Sequence, residues 1–189
     1  MQSRKDKLVE SLIAYLLDNG LADLSLRPLA AGTGTSARLL IYHFGSKEAL
    51  LTEVLEAMQA HVQNSFVQLL DNSSVRRPSK PPLKLLWNWA IADENYRYLK
   101  LLYELQILAI QSPDTYARYL DRTTDRWLDL ALAAMSPSLR TPAMATLCTA
   151  VFDGLFIELM ISSDRKRTTQ ALDCFIQMAI KAPASHSKA

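Results

Sequence analysis

The chain has 189 residues, of which 49% are hydrophobic and 21% are charged, and this balance excludes an intrinsically disordered protein. Its length provides enough material for a buried core, either in one large domain or in a small domain joined to a larger one. The formal net charge of +2 does not by itself indicate a nucleic-acid partner, so the distribution of charge along the chain has to decide.

The first predicted element is a helix over residues 5–19. Leu8, Leu12 and Leu16 recur at four-residue spacing, which is typical of an amphipathic helix with one apolar face. Gly20 follows and is expected to end the helix. The whole chain contains only five glycines and is rich in leucine and alanine, so helices are favoured over strands and turns throughout.

Two short helices and then a long one are predicted next. Ser25 is the expected N-cap of the first short helix and Ser36 of the second, and Gly34 between them permits a sharp reversal. Ser46 is expected to cap the long helix, whose apolar residues follow helical spacing for about six turns as far as Leu70. Two short helices joined by a tight turn and backed by a longer helix are the components of a helix-turn-helix unit.

Positive charge is concentrated in this part of the chain. From Leu24 to Lys47 there is no acidic residue, whereas Arg27, Arg38 and Lys47 are basic. A locally basic segment in a nearly neutral protein is what a phosphate backbone would require of its partner.

The rest of the chain is also predicted to be helical, which makes the protein all-α. Residues 71–82 are rich in serine, proline and charge and are interpreted as a loop, and residues 183–189 as a disordered tail. The apolar periodicity predicts helices over residues 83–93, 94–111, 113–135, 142–162 and 165–181.

The stretch "LSLRPLAAGTGTSARLLIYHFGSKEALLTEVL", with its "YHFGSKEAL" junction, resembles the helix-turn-helix and following helix of the TetR family, the tetracycline-repressor-type transcriptional regulators of bacteria. The resemblance covers about the first quarter of the chain closely, and the remainder is similar in helix count and in a "DGL" segment. It implies a DNA-binding domain at residues 1–48 and a helical ligand-binding and dimerisation domain at residues 49–182.

The resemblance also implies the partners of the protein. Double-stranded operator DNA of palindromic sequence is the expected target, a small molecule of unknown identity is the expected effector, and the last two helices are expected to form a homodimer through a four-helix bundle. The positions that match the family's DNA-binding segment, and are therefore predicted to contact DNA, are Ser25, Arg27, Thr35, Ser36, Ala37, Arg38, Ile41, Tyr42 and Lys47.

Arg38 is the strongest of these candidates from its chemistry. Its guanidinium can donate two parallel hydrogen bonds to guanine O6 and N7, and helical spacing puts it opposite Leu40 and Phe44. The family commonly carries lysine and glycine where this chain has Ala37 and Arg38, and often a phosphate-contacting tyrosine where it has Ile41. The alternative interpretation of Arg38 is an ordinary solvated side chain.

Aromatic residues are concentrated in the second part of the chain. Most are expected to pack in the core, while a subset is predicted to line an apolar ligand pocket to which Glu104, Gln106 or Asp153 would contribute a polar group. The predicted ligand-binding residues are Trp87, Tyr103, Glu104, Ile107, Trp127, Phe152 and Phe156.

No catalytic, cofactor or metal site is predicted. His43, His61 and His186 are scattered, and the chain has neither a glycine-rich phosphate loop nor a nucleophile elbow. Cys148 and Cys174 lie in apolar helical patterns and are interpreted as small buried side chains. We therefore do not expect an enzyme.

Neither a secretory signal nor a membrane span is predicted. The apolar stretch of the first helix is interrupted by Glu10 and followed by Asp18 where a small-residue cleavage site would be needed. The most apolar stretch, "VFDGLFIELMI", contains Asp153 and Glu158, and no run reaches the roughly 20 apolar residues that a bilayer requires. A cytoplasmic protein is the expectation.

The resemblance, taken with these patterns, implies a ligand-responsive DNA-binding regulator, a repressor that a small apolar or aromatic molecule releases from its operator. Two alternatives remain open from the sequence: a helical small-molecule carrier without DNA binding, and an enzyme built in a helical bundle. Salt-dependent binding to duplex DNA would distinguish the regulator from both.

Overall fold

A computed structural model describes residues 3–21, 24–74 and 81–181 of the chain, without the side chains of residues 72–74 and 123–124. Within these ranges the chain forms nine α-helices and no β-strand, which confirms the all-α class. The predicted tail at residues 183–189 and most of the predicted loop lie outside the described residues. The helices are α1 (Arg4–Asn19), α2 (Leu26–Gly32), α3 (Ala37–Phe44), α4 (Lys47–Ser74), α5 (Pro82–Ala90), α6 (Asp93–Gln111), α7 (Pro113–Ala134), α8 (Pro142–Ser162) and α9 (Arg165–Lys181).

The helix boundaries differ from the predicted ones at the two ends of the expected loop. Helix α4 continues to Ser74, because each residue added to an existing helix costs little once the first turns have formed. At the other end, Pro82 is the first residue of α5, a position where its fixed φ suits the helix and its missing N–H is not needed.

The chain divides into two compact units, and the divisions fall inside α4, α6 and α7. The first unit contains Met1–Val62 and Tyr96–Thr123, so it combines α1, α2 and α3 with parts of α4, α6 and α7. Its interior contains Leu12, Leu29 and Leu40, whose side chains are fully buried. These leucines come from three successive helices. Their burial holds together what we call the front segment, which runs from α1 through α3 to Lys47 at the start of α4.

The second unit contains Gln63–Asn95 and Thr124–Ala189, and Trp87 lies in its interior. The Trp87 ring meets Phe152 and Phe156 edge-on, with centroids 5.8 Å and 6.5 Å away. Its indole N–H donates to the Thr169 hydroxyl at 2.9 Å, which satisfies the only polar atom of the side chain. Helices α5, α8 and α9 are joined through this cluster.

Candidate functional site

The front segment is organised by a tight turn between α2 and α3. Gly34 adopts a φ of 65°, a left-handed conformation that favours glycine. The turn is closed by two backbone hydrogen bonds, from the Gly34 N–H to the Ala31 carbonyl at 3.2 Å and from the Thr35 N–H to the Ala30 carbonyl at 2.9 Å. This geometry confirms the reversal expected between the two short helices.

Of the three serines predicted to cap helices in this segment, Ser36 and Ser46 do so, whereas Ser25 occupies the N-cap position of α2 without a capping hydrogen bond from its side chain. The Ser36 hydroxyl accepts from the Leu39 N–H at 3.2 Å and caps α3. The Ser46 hydroxyl accepts from the Ala49 N–H at 3.0 Å and caps α4. Each of these two hydroxyls satisfies an amide that the helix itself leaves unpaired, so the start of each helix is fixed by its sequence.

Helix α3 presents one buried face and one exposed face. Leu40 and Phe44 are buried, whereas Arg38, Ile41 and Tyr42 are exposed, with Tyr42 at 80% exposure. Spacings of three and four residues place the exposed side chains on one side of the helix. The Arg38 guanidinium and the Tyr42 phenol therefore share a face that is exposed.

The basic residues of the segment are available to a ligand. Arg27 and Arg38 are exposed, and Lys47 is half-buried at the first position of α4. In the part of the chain that the structure describes, none of the three forms an ion pair. Three unneutralised cations near an open helix face provide the charge that a phosphate backbone attracts.

The remaining predicted DNA contacts lie at the same end of the segment with different exposure. Ser25 is exposed at the N-cap position of α2, and Ala37 is half-buried at the start of α3. The Thr35 hydroxyl oxygen is buried and makes no hydrogen bond within the described residues, and the same holds for His43 Nε2. The nine predicted positions thus lie on α2 with its N-cap, on α3 with the turn before it, and at the start of α4, and Thr35 does not present its hydroxyl to solvent.

Two polar contacts connect the front segment to α4 and α6 inside the first unit, and a cation–π contact joins α1 to α3. The Lys5 ammonium of α1 lies 2.8 Å from a Glu53 carboxylate oxygen of α4 and 5.3 Å from the centre of the Phe44 ring. From α6, the Arg97 guanidinium donates to the Leu17 carbonyl oxygen at the end of α1, at 3.1 Å.

Helix α7 is tied to α4 by a further pair. Arg118 donates to both carboxylate oxygens of Glu56, at 3.0 Å and 2.8 Å, a bidentate geometry. Two residues before it, Tyr116 has non-helical backbone angles (φ −110°, ψ 17°) and a buried side chain, so α7 is kinked near its start. Both partners of the Arg118 pair are partly exposed, so the pair contributes little to stability. Its role is to fix the position of α7 against α4.

The residues predicted to bind a ligand divide between the two units. Tyr103, Glu104 and Ile107 belong to α6 in the first unit, where Tyr103 and Glu104 are half-buried and Ile107 is 51% exposed. In the second unit, Trp87 packs with Phe152 and Phe156 as described above. Trp127 is half-buried beside Phe66, with ring centroids 6.4 Å apart.

A buried polar cluster in the first unit was not predicted from the sequence. Gln59 of α4, Gln106 of α6 and Tyr119 of α7 meet there, and Gln59 and Tyr119 are almost fully buried. Gln106 Nε2 donates to the Tyr119 oxygen at 2.9 Å and to Gln59 Oε1 at 3.2 Å. A signal was present in the sequence, because Gln59 and Gln63 interrupt the apolar face of α4 that Met58 and Val62 continue.

An apolar strip runs along α8 in the second unit. It consists of Leu147, Ala150, Gly154, Ile157 and Ile161, all exposed, with Ile161 at 76%. By length and composition alone, α8 is apolar enough to cross a bilayer. Only 22% of its most apolar 18-residue stretch is buried inside the chain. Such an exposed apolar surface on a folded unit indicates a partner surface.

Helix α9 adds its own exposed residues, Ala171, Cys174 and Met178, at spacings of three and four. The prediction that both cysteines are buried is wrong for Cys174, which is exposed, while Cys148 is half-buried. Burial raises the pKa of the Cys148 thiol. The apolar periodicity correctly predicted the helix α9. It did not distinguish the face that packs inside the chain from the face that is exposed to solvent.

Among the described residues, no group of three or more histidine, cysteine, aspartate or glutamate side chains is arranged to hold a metal ion. The charged residues instead form ion pairs at the surface, such as Lys84 with Asp173 and Arg165 with Asp93.

The sequence profile of the bacterial regulatory proteins of the tetR family matches residues 8–54. This range contains most of α1, all of α2 and α3, and the first turns of α4. The resemblance seen in the sequence is confirmed, and the front segment is the N-terminal helix-turn-helix domain of that family. No curated protein matches the chain.

The similarity to solved structures covers nearly the whole chain. One is a protein from Pseudomonas aeruginosa PAO1 whose role as a transcriptional regulator is inferred; it is 20% identical, with 95% of this chain and 91% of that chain covered and a TM-score of 0.73. Another is a transcriptional regulator from Rhodococcus sp. Rha1, at 21% identity, 94% and 96% coverage and a TM-score of 0.72. The multidrug binding protein EbrR, complexed with ethidium, is 17% identical, with 92% and 98% coverage and a TM-score of 0.68. At these identities the similarity establishes the fold.

Proposed function

Because its front segment is a TetR-family helix-turn-helix domain, we propose that the protein is a cytoplasmic, homodimeric transcriptional repressor that a small apolar or aromatic molecule releases from operator DNA. In this proposal residues 1–48 bind DNA, and residues 49–182 bind the effector and form the dimer. The protein acts through binding equilibria and not through catalysis.

The observation that carries the proposal is the open face of α3. Arg38 has a planar guanidinium suited to a guanine edge, and Tyr42 is available for a phosphate or a base. Lys47 at the start of α4 adds a positive charge where the helix dipole already favours an anion. A helix that enters the major groove needs this combination of a base-reading side chain and flanking phosphate contacts.

The dimer is supported by the apolar surface of α8 and α9. The strip on α8 is one continuous helical face, and Ala171, Cys174 and Met178 on α9 extend the apolar surface of the same unit. A two-fold axis would cover the same patch on both copies, and two symmetric heads would read two half-sites in opposite orientation. A palindromic operator follows from this symmetry.

The effector response is supported by a contact of α6 with the DNA-binding domain and by a contact of α7 with α4, the helix that follows this domain. Arg97 holds the end of α1 from α6, and Arg118 holds α4 from α7. A molecule that binds better when α6 or α7 is displaced would weaken operator binding by the ratio of its affinities for the two arrangements. EbrR, which has a similar fold, binds ethidium and proflavin, and this supports an aromatic effector here.

The test is selection of DNA fragments by the purified protein, followed by affinity measurements on the enriched sequence at several salt concentrations. We expect a palindromic sequence to be enriched and the affinity to fall steeply with salt, since each neutralised phosphate contributes about 0.9 to the slope of log K against log salt. Failure to enrich any sequence, together with binding that is independent of salt, would favour the carrier alternative.

A further inference from the structure

The buried cluster of Gln59, Gln106 and Tyr119 has one hydrogen-bonding group left over. The Tyr119 hydroxyl donates to Gln59 Oε1 at 3.3 Å and accepts from Gln106 Nε2. Gln59 Oε1 also accepts from Gln106 Nε2, so its acceptor capacity is used by two donors. Across the residues that the structure describes, Gln59 Nε2 has no hydrogen-bond partner although it is buried.

The orientation of the Gln59 amide follows from that of Gln106, whose NH2 group donates to Gln59 Oε1 and to the Tyr119 oxygen. With Gln106 so placed, rotating the Gln59 amide alone by half a turn would set its NH2 group against another donor and would remove the acceptor that it offers to Tyr119. In this arrangement the Gln59 NH2 group has no acceptor within the described residues, so the group that would satisfy it is an acceptor.

An amide buried without a partner is unfavourable in a folded protein. More than nine in ten buried polar groups find a hydrogen bond, and an unpaired one destabilises the fold by about 1–3 kcal/mol. The Gln59 side chain is 4% exposed, so bulk solvent does not supply the acceptor. One turn further along α4, Gln63 buries an amide of which neither polar atom has a partner within the described ranges.

The chemistry of the cluster also defines the charge of the molecule it suits. Its polar groups are two amides and a phenol, which carry no formal charge at neutral pH. A carboxylate or an ammonium buried there would lose hydration without gaining an opposite charge. A neutral acceptor accepts the hydrogen bond without that loss.

We propose that Gln59 Nε2 is the polar anchor of the effector site and that it binds an uncharged carbonyl-type oxygen, such as a ketone, ester or amide, on an otherwise apolar molecule. The inference deepens the proposed function, on which it rests, by naming the class of effector. Tyr119 and Gln106 are positioning residues, because they hold the Gln59 oxygen and direct its NH2 group away from themselves.

The experiment compares the affinity of the purified full-length protein for matched pairs of molecules that differ only in a carbonyl group. The pairs are 9-fluorenone with fluorene and acetophenone with ethylbenzene, with binding measured by equilibrium dialysis in the absence of DNA. One hydrogen bond to a neutral donor predicts that the ketone of at least one pair binds about threefold to tenfold more tightly than its hydrocarbon.

Two variants locate the preference within the cluster. Gln59→Met keeps the length of the side chain and removes the donor, so the ketone should bind no better than the hydrocarbon. Tyr119→Phe keeps the Gln59 donor but removes one of the two groups that hold the Gln59 oxygen, so the preference should shrink without being lost. If Gln59→Met does not fold, Gln59→Leu removes the donor with a shorter side chain and must also lose the preference.

The inference is overturned if the wild-type protein shows no ketone preference in either pair, or if Gln59→Met retains it. Operator selection is measured separately on the same preparation. Sequence-selective DNA binding without a ketone preference would refute the assignment of Gln59 while leaving the proposed function intact. A ketone preference without sequence-selective DNA binding would refute the proposed function while leaving Gln59 as the ketone-binding residue.

Discussion

Tyr15 of α1 lies so close to Gly32, the last residue of α2, that a Cβ at position 32 would come within 2.0 Å of the ring carbon Cδ2. Glycine lowers helix stability by roughly 0.5–1 kcal/mol relative to alanine, and the short helix α2 would otherwise benefit from a better helix former. The contact explains the glycine: the ring occupies the space that any larger residue would need.

Gly32→Ala is therefore expected to destabilise the protein, by about 1–3 kcal/mol, because the Tyr15 ring has to move. In a Tyr15→Ala background the same substitution should be neutral or slightly stabilising. Urea denaturation of the four proteins in this double-mutant cycle measures both effects. Equal costs of Gly32→Ala in the two backgrounds would show that the ring contact is not the cause.

Arg38→Ala is expected to weaken binding to the preferred operator by about 1–3 kcal/mol and to relax the choice of base at one position. The reason is the loss of the bidentate donor on the open face of α3. Affinity would be measured on the selected operator and on variants changed one base pair at a time. Arg126→Ala, an exposed arginine on α7, is the matched control and should leave binding unchanged. An equal loss of affinity for all DNA sequences would show that Arg38 contacts the DNA phosphate backbone and not a base.

Lys47→Ala should have the contrasting effect of weakening binding to every duplex alike. A phosphate contact contributes charge and not sequence information, so the slope of log affinity against log salt should decrease by about one unit. The measurement is a salt titration on the operator and on an unrelated duplex of the same length. An unchanged slope would mean that Lys47 does not neutralise a phosphate.

Ile161→Glu is expected to convert the dimer to a monomer, since Ile161 is the most exposed residue of the α8 strip and a buried carboxylate in the interface would be unpaired. Ile110→Glu on α6 is the control, because Ile110 is 63% exposed and lies outside the strip. Light scattering gives the oligomeric state. A wild-type protein that is monomeric at working concentration would contradict the proposed dimer, as would an Ile161→Glu variant that remains dimeric.

The N-terminus of α1 predicts a dependence of stability on pH. Asp6 forms a capping box with Ser3, and the hydrogen bond from the Ser3 backbone N–H, followed by that of the Ser3 side chain, lowers the pKa of Asp6 from its ordinary value of 3.8. A group whose folded pKa is lowered stabilises the fold above its unfolded pKa, and the contribution is lost as the pH falls through the folded value.

Asp6→Asn should therefore lower the midpoint of thermal unfolding at neutral pH, and the difference from the wild type should shrink as the pH falls below about 4. Asn keeps an oxygen that can accept from Ser3, so the comparison isolates the charge. Thermal unfolding followed by circular dichroism at several pH values is the measurement. A difference that stayed constant over this range would exclude ionisation of Asp6 as the cause.

Local features of the fold were predictable because neighbouring residues determine them. Ser36 and Ser46 cap the helices expected of them, since an N-cap needs only a hydroxyl and the amides of the next turn. Gly34 occupies the turn for a similar reason. Helix boundaries followed wherever a cap, a glycine or a proline marks them.

Contacts between distant residues were not predictable in the same way. Gln59 lies 47 residues from Gln106 and 60 from Tyr119, and no periodicity relates them. On the apolar helix α9, Ile176 is buried inside the chain, whereas Cys174, two residues before it, is exposed. Choosing between the faces of an apolar helix requires knowing what each face packs against.

All three tryptophans, Trp87, Trp89 and Trp127, belong to the second unit. Excitation at the red edge of protein absorption thus follows that unit alone, while the far-ultraviolet circular dichroism follows the helices of both. If the two signals trace one denaturation curve, the units unfold together as a single cooperative system. If they separate, the first unit retains or loses its helices independently of the second. Any free energy of unfolding obtained from fluorescence then describes only the second unit.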